Sequence, residues 1–392
     1  MILRDRVEGV IRGWHEFELA QRDPIQVIDF DCMPGRGPAP IQIESRLHAY
    51  QLLCDIEAQA SADEPSVERL QADTTYLAAL MGQRFELKPY IARTQGCNSE
   101  GWCPSYVQER GDIAREHLSR MGIPWAADTL TSIRQLEGLV PAEEAAGAIR
   151  KAADDLEPLV RSVTGVTVRF PIVIENVAVD DYWSYWLDGN RDEVRLRLNL
   201  REASFTEVQA RQFALHEVLG HGLQYVSIAE TTDEADVPWV RLFSVHAPTQ
   251  VLFEGLAQAL PLLATPGDDA LVARVRLEHY LQLVRAEVHL AINAGASIAR
   301  CIEHVQTRVP FWQEAQIVSA LHDRSSSALL RSYLWSYPAG LDWFVCLIDS
   351  DPKTAMEIAH AAYRSPLTPR ELASKWRAGP PIGGAGESIR IW

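Results

Sequence analysis

The sequence predicts a mainly α fold with a small β-sheet, an α+β architecture, on three observations. Apolar residues recur at i, i+3 and i+4 over long stretches. Strand-like material rich in Val, Ile and Phe is confined to one region between Val166 and Leu200. Gly and Pro clusters near 34–40, 96–104 and 122–124 interrupt the helical pattern where turns are needed, and no internal repeat is evident. At 392 residues, 47% hydrophobic and 23% charged, the chain can bury a large core.

Taken in order, helices are expected around 42–62, 66–82, 104–121 and 142–163. Strands over Val166–Val177, Tyr182–Leu187 and Val194–Leu200 supply the sheet. Ser204 followed by Glu207 fits a capping box, and Phe205, Val208, Phe213 and Leu215 give the next segment an apolar face. A helix of about 20 residues is therefore expected from Phe205. The apolar stretch Val251–Leu263 reads as another helix, followed by helices over 268–308, 311–322, 326–335, 340–349, 353–363 and 369–376. The Gly-Pro-rich end, Gly379–Gly386, reads as a surface tail. The expected division is an N-terminal helical part, 1–165, and a second part, 166–392, or one interwoven domain.

Chemistry enters with His216-Glu217-Val218-Leu219-Gly220-His221, two imidazoles bracketing a carboxylate. The usual H-E-x-x-H spacing places two zinc-binding histidines four apart on one helix face, with the glutamate as base. Here they are five apart, which on a regular α-helix leaves the side chains about 140° apart. A local widening of the π-bulge kind would bring them back together, and Gly220 sits where it costs least sterically. A tetrahedral catalytic zinc takes three protein ligands and leaves a position for water. Glu254, a carboxylate inside an otherwise apolar helix, is the expected third ligand, because such a charge is costly unless paired or coordinated. Pairing with an arginine or capping by Gln258 is the structural alternative. His246, eight residues earlier, is a rival ligand or a contact to the transition state.

These residues carry a resemblance. His216 to Gln224 is similar to the H-E-x-x-P-G-H-x-x-Q signature of the bacterial hydrolase-like family known as domain of unknown function 885, with one residue fewer and no proline. Glu254-Gly255-Leu256-Ala257 resembles its E-G-W-A motif with Leu for Trp, and Tyr337-Pro338-Ala339-Gly340 resembles its P-G-Q-A turn. The strand Arg195–Leu200 and the helix around Ala286–Gly295 sit where the family has corresponding elements, so the likeness spans roughly residues 165 to 350. Dipeptidyl peptidase III has a zinc-binding H-E-L-L-G-H stretch with the same five-residue spacing. The resemblance implies a zincin-like metallohydrolase core, metallopeptidase-like chemistry, and an edge strand that holds an extended substrate.

The expected function is zinc-dependent hydrolysis of an amide or peptide bond in a small peptide or modified amino acid. His216, His221 and Glu254 would bind Zn2+, with Fe2+ or Mn2+ as alternatives, and Glu217 would act as general base. Candidate donors to the oxyanion are Tyr337, Tyr333, Arg331 and His246, in that order, although tyrosines in an aromatic cluster such as 333–337 are more often packing residues. The alternative is a non-hydrolytic metalloenzyme of a biosynthetic pathway: a non-haem iron oxygenase, since two His and one carboxylate also form the facial triad, or a zinc lyase, isomerase or acyltransferase. A metal-free binding protein is the third reading, against which Glu217 argues.

A net charge of −16, with no basic patch to offset it, disfavours nucleic acid and anionic membrane as partners. The substrate is expected to be a small molecule or short peptide, because the N-terminal helices would narrow the cleft. Residues 1–8 lack the apolar core of a signal peptide and no run reaches 18 apolar residues, so the expected location is cytoplasmic. Six cysteines form no C-x-x-C pair, which fits reduced thiols. Cys97 and Cys103 are close enough for a disulfide or a metal clip, with a plain structural loop as the simpler reading.

Overall fold

A computed structural model describes residues 2–61, 64–178, 185–201, 204–386, 388 and 391, and within them the chain is mainly helical with a small mixed sheet. The chain starts with α1 (Leu3–Leu19), β1 (Phe30–Asp31), α2 (Arg46–Glu57), α3 (Val67–Leu80) and α4 (Leu87–Thr94). It continues through α5 (Pro104–Arg120), α6 (Thr129–Glu137), β2 (Leu139–Val140) and α7 (Ala145–Thr164). Strands β3 (Ile172–Val177), β4 (Tyr185–Asn190), β5 (Glu193–Asn199) and β6 (Phe205–Thr206) follow. A long helix then runs from α8 (Glu207–Phe213) through a π segment (Ala214–Gly222) into α9 (Leu223–Glu234). After β7 (Leu242–Phe243) come α10 (Gln250–Ala264), α11 (Asp269–Asn293), α12 (Ile298–Arg308), α13 (Glu314–Ser326), α14 (Leu330–Tyr333), α15 (Ser336–Ser350), α16 (Pro352–Ala362) and α17 (Pro369–Lys375). No helix among the described residues is long and apolar enough to cross a membrane.

The main sheet has the order β3-β5-β4-β1-β7. β5 sets its register, pairing parallel with β3 (Ile174 opposite Leu196) and antiparallel with β4 (Leu187 opposite Leu196). Alternation along β5 explains its two faces: Val194, Leu196 and Leu198 are fully buried, while Arg195 and Arg197 reach Asp188 on the other side. The expected strands are all present, shortened at Pro171 and extended at Asn190; Tyr182 to Ser184 lie outside the described residues. Two-residue strands β1 and β7, too short to leave a pattern, tie the N-terminal helices to this sheet.

Two hydrophobic cores divide the molecule. The smaller contains Val7, Trp14, Leu53, Leu70 and Tyr76, closed by Val240 and Leu242. The larger draws on α5 and α7 (Val107, Leu118, Ile149, Val160) together with α10, α11 and α15, so residues on both sides of position 165 share it. Helix α1, not among the expected helices, buries Val7, Val10, Ile11 and Trp14 at i, i+3, i+4 and i+7, and two carboxylates lie on the same inner face. Glu8 and Glu18 are fully buried: Glu8 holds Arg241 at 2.7 Å, and Glu18 accepts from Trp14 Nε1 at 2.9 Å and Arg46 Nε at 2.7 Å.

Three further expectations are corrected. The cap of the long helix is Thr206 with Gln209, in a reciprocal box at 3.1 and 3.0 Å, and not Ser204 with Glu207. The stretch 268–308 is two helices, broken at Gly295, whose φ of +94° an L side chain rarely adopts. The Gly-Pro-rich end is docked: Asn98 N donates to Ile382 O (3.1 Å), Gly101 N to Gly383 O (3.0 Å), and Ile382 is buried. The 94–104 loop is thus structural, with Cys97 a buried thiol inside it.

Helices α10 and α15 cross backbone to backbone at Gly255 and Gly340. A Cβ at Gly255 would lie 2.5 Å from Gly340 Cα, and one at Gly340 would meet the Val251 carbonyl. Gly340→Ala should therefore destabilise the protein by about 1–3 kcal/mol, the usual cost of overpacking, in a denaturant titration; an unchanged midpoint would show that the helices can part freely. Asp29, ahead of β1, accepts from Val245 N at 2.9 Å, and burial raises its pKa to about 7. Its neutral form favours folding below the unfolded pKa, and that advantage is lost as pH rises towards 7. Asp29→Asn should raise Tm at pH 8 more than at pH 5, and equal shifts at both would contradict this.

Candidate metal centre

The π segment is the first determinant of the centre. Hydrogen bonding from residue i to i+5 makes five residues nearly one turn, so His216 and His221 lie one above the other. Their rings stand at 88° with centroids 4.7 Å apart, and their Nε2 atoms face each other at 3.2 Å. Such a helix is held by its surroundings. Leu215, Val218 and Leu219 are fully buried, and the Leu219 carbonyl accepts from Tyr363 OH at 2.7 Å. Gly220 has a role beyond easing the distortion: a Cβ there would lie 2.8 Å from Ala257 Cβ and 2.7 Å from the Leu215 carbonyl. Glycine lets α10 approach, and α10 carries Glu254 three residues before Ala257.

Glu254 is 3% exposed and straddles the two imidazoles, with Oε2 at 3.4 Å from His216 Nε2 and Oε1 at 3.7 Å from His221 Nε2. An ion with bonds of about 2.0–2.1 Å in a tetrahedron separates its ligands by about 3.3 Å, so the three groups have the spacing of one coordination sphere. Neither structural alternative holds for its carboxylate. Gln258 Nε2 donates instead to the Glu254 main-chain carbonyl at 3.0 Å, and no arginine pairs with Glu254 among the described residues. Oε2 is a buried oxygen with no hydrogen bond among those residues. A buried carboxylate oxygen and two opposed imidazole nitrogens suit a cation, so the donor set fits zinc.

Glu217 completes the group: His216, Glu217 and His221 offer atoms within 4.8 Å of one another. Its Oε1 is 3.5 Å from His216 Nε2, and Tyr185 of β4 hydrogen-bonds to its carboxylate. The two glutamates are driven apart electrostatically. Burial raises the Glu217 pKa, against the pull of both imidazoles. Burial works the same way on Glu254, but the two imidazoles beside it outweigh burial and hold that carboxyl well below its ordinary value. For His216, burial opposes protonation, yet Glu217 and Glu254 lift its pKa overall.

The tyrosines lie where the sequence singled them out. Tyr333 OH donates to Glu254 Oε1 at 2.6 Å and lies 2.8 Å from Tyr337 OH. Burial, then the Glu254 charge, raises both phenols well above their ordinary value, so both keep their protons. His246 and Arg331 are placed elsewhere. His246 is buried in the smaller core, where its Nε2 meets Asp73 Oδ1 at 2.7 Å and its ring stacks on Tyr76 at 4.4 Å. Arg331 donates to Asn293 Oδ1 at 2.7 Å and the Phe85 carbonyl at 2.9 Å. Two residues went unrecognised in the sequence: Tyr185, which a strand assignment alone does not mark, and Tyr225, four residues after His221, whose ring stacks on it at 5.7 Å. His221 Nδ1, where a metal-binding histidine usually has a hydrogen-bond partner, is buried and has none among the described residues.

No protein-family model matches the chain, and no curated protein matches it. In fold it is similar to a solved structure described as "the putative lipoprotein from Colwellia psychrerythraea", with a TM-score of 0.55 and 14% identity over 84% of this chain. The chain covers 60% of that protein, less than two thirds of its length, and at this identity the likeness is one of fold.

Proposed function

We propose that the protein is a zinc-dependent hydrolase that cleaves an amide or peptide bond of a short peptide or modified amino acid. The observation that carries this is the convergence of His216, His221 and Glu254 within 3.2–3.7 Å of one another, with a separate carboxylate, Glu217, beside them. Zinc held there would supply a Lewis acid and a water acidified towards neutrality. Glu217, buried and with a raised pKa, is suited to take a proton from water and return it to the leaving amine at its carboxylate oxygens. Tyr333 donates to Glu254 and so accepts from Tyr337, whose hydroxyl would serve an oxyanion by turning its proton from Tyr333 to the substrate. Along β4, only Gly189 and Asn190 pair with β1 among the described residues, so the edge over Tyr185–Asp188, next to Glu217, can take an extended substrate by backbone hydrogen bonds.

The similarity of His216–Gln224 and Glu254–Ala257 to the hydrolase-like family supports the same reading. Gly255, the glycine of that E-G motif, is one of the two that the α10–α15 crossing requires. A small-molecule or short-peptide substrate agrees with the charge of −16. Buried free thiols at Cys32, Cys97 and Cys301 fit a reducing compartment, in keeping with a cytoplasmic location.

Metal analysis of the purified protein should find about one zinc per chain, with His216→Ala and Glu254→Gln each losing most of it. Iron with oxygen-dependent turnover would instead favour the facial-triad oxygenase. The metal-loaded protein should cleave members of a panel of short peptides and N-acyl amino acids, read by mass spectrometry. Glu217→Gln should keep the metal while turnover falls by about 10²–10⁴-fold; unchanged turnover would remove Glu217 as base. Tyr337→Phe should lower kcat by about 10²-fold with little change in KM, whereas an effect on KM alone would make it a binding residue.

A further inference from the structure

A second cavity, of about 840 Å³, lies where the start of α4, the end of α11 and α14 meet, and nothing in the metal centre uses it. Its size is that of a small-molecule site. Leu87, Leu290 and Ala291 give it an apolar wall, and two guanidiniums, Arg84 and Arg331, open onto it. Arg331 is 7% exposed. Its Nε and Nη1 are bonded to Asn293 and Phe85, and its guanidinium lies over the Tyr90 ring at 5.7 Å, but Nη2 has no partner among the described residues. Arg84 is exposed and fixed through Nη2 to the Ser325 carbonyl at 3.0 Å. Neither arginine has a carboxylate within ion-pair distance among the described residues, in a chain with 53 acidic and 37 basic side chains. On the rim, Glu100 is already paired with Lys88 at 2.5 Å, and Glu86 is exposed.

A buried guanidinium with no counter-charge is costly, and a second cation beside it adds repulsion: burial, then Arg84, lowers the Arg331 pKa. A carboxylate placed between them would accept charge-assisted hydrogen bonds from both and remove that repulsion, while its apolar body would cover the Leu87–Leu290 wall.

We propose that this cavity binds a monocarboxylate with an aliphatic body. The site is independent of the metal centre. Isothermal titration of octanoate into the EDTA-treated full-length protein tests it, with acetate as the head group alone and 1-octanol as the tail alone. Octanoate should bind once per chain, and both controls at least about tenfold more weakly. Arg84→Gln and Arg331→Gln should each weaken octanoate about tenfold, while His216→Ala leaves it unchanged. Arg84 is on the surface, so its variant decides the matter should Arg331→Gln fail to fold. Absence of octanoate binding, equal binding of 1-octanol, or wild-type affinity in Arg84→Gln would overturn the proposal, as would loss of binding in a folded His216→Ala variant.

Discussion

The candidate centre depends on the pitch of one helix. With His216 and His221 five positions apart, an α-helical path would point the imidazoles to different sides, and the π segment from Ala214 to Gly222 removes that divergence. A π turn is poor helix by itself, so the fold must hold it. It does so by burying Leu215, Val218 and Leu219 and by pressing α10 against Gly220. The same glycine that eases the turn also sets the distance of Glu254 from the histidines. Geometry and packing are therefore one constraint: a side chain at position 220 would push away the helix that bears the third ligand.

A second glycine contact extends this arrangement. Gly255, next to Glu254, meets Gly340 of α15, and that contact brings α15 and α14 close enough for Tyr333, bonded to Tyr337 four residues on, to reach the Glu254 carboxylate. Within the cluster, two glutamates of the same type take opposite characters. Glu254 lies between two imidazoles and is held ionised, while Glu217 faces mainly burial and has a raised pKa. Separating titratable groups in this way is what divides a ligand from a base.

Much of this was legible in the sequence because it rests on local pattern. His216, Glu217, His221, Glu254 and the Tyr333–Tyr337 pair could be singled out by spacing and by the cost of charge in an apolar helix, and the widening of the turn followed from the count of five. What could not be read depends on contacts distant in sequence. The burial of Glu8 and Glu18 on helix α1 is one case, because their partners Arg241 and Arg46 are far along the chain. His246 sits eight residues from Glu254, yet its chain leads into the smaller core and to Asp73. Arg331 is two residues from Tyr333 on a single helical turn, and that short step sends its side chain to Asn293 and the second cavity. The terminal glycines read as a tail because only the Asn98–Gly101 loop, nearly 300 residues away, gives them something to pair with.

The most direct measurement is anomalous diffraction at the zinc edge from crystals of the metal-loaded protein. The account predicts a single peak about 2.0–2.2 Å from His216 Nε2, His221 Nε2 and a Glu254 oxygen, with Glu217 outside that distance. A peak ligated by other residues, or a helix found regular through 214–222 with the two imidazoles diverging, would contradict it.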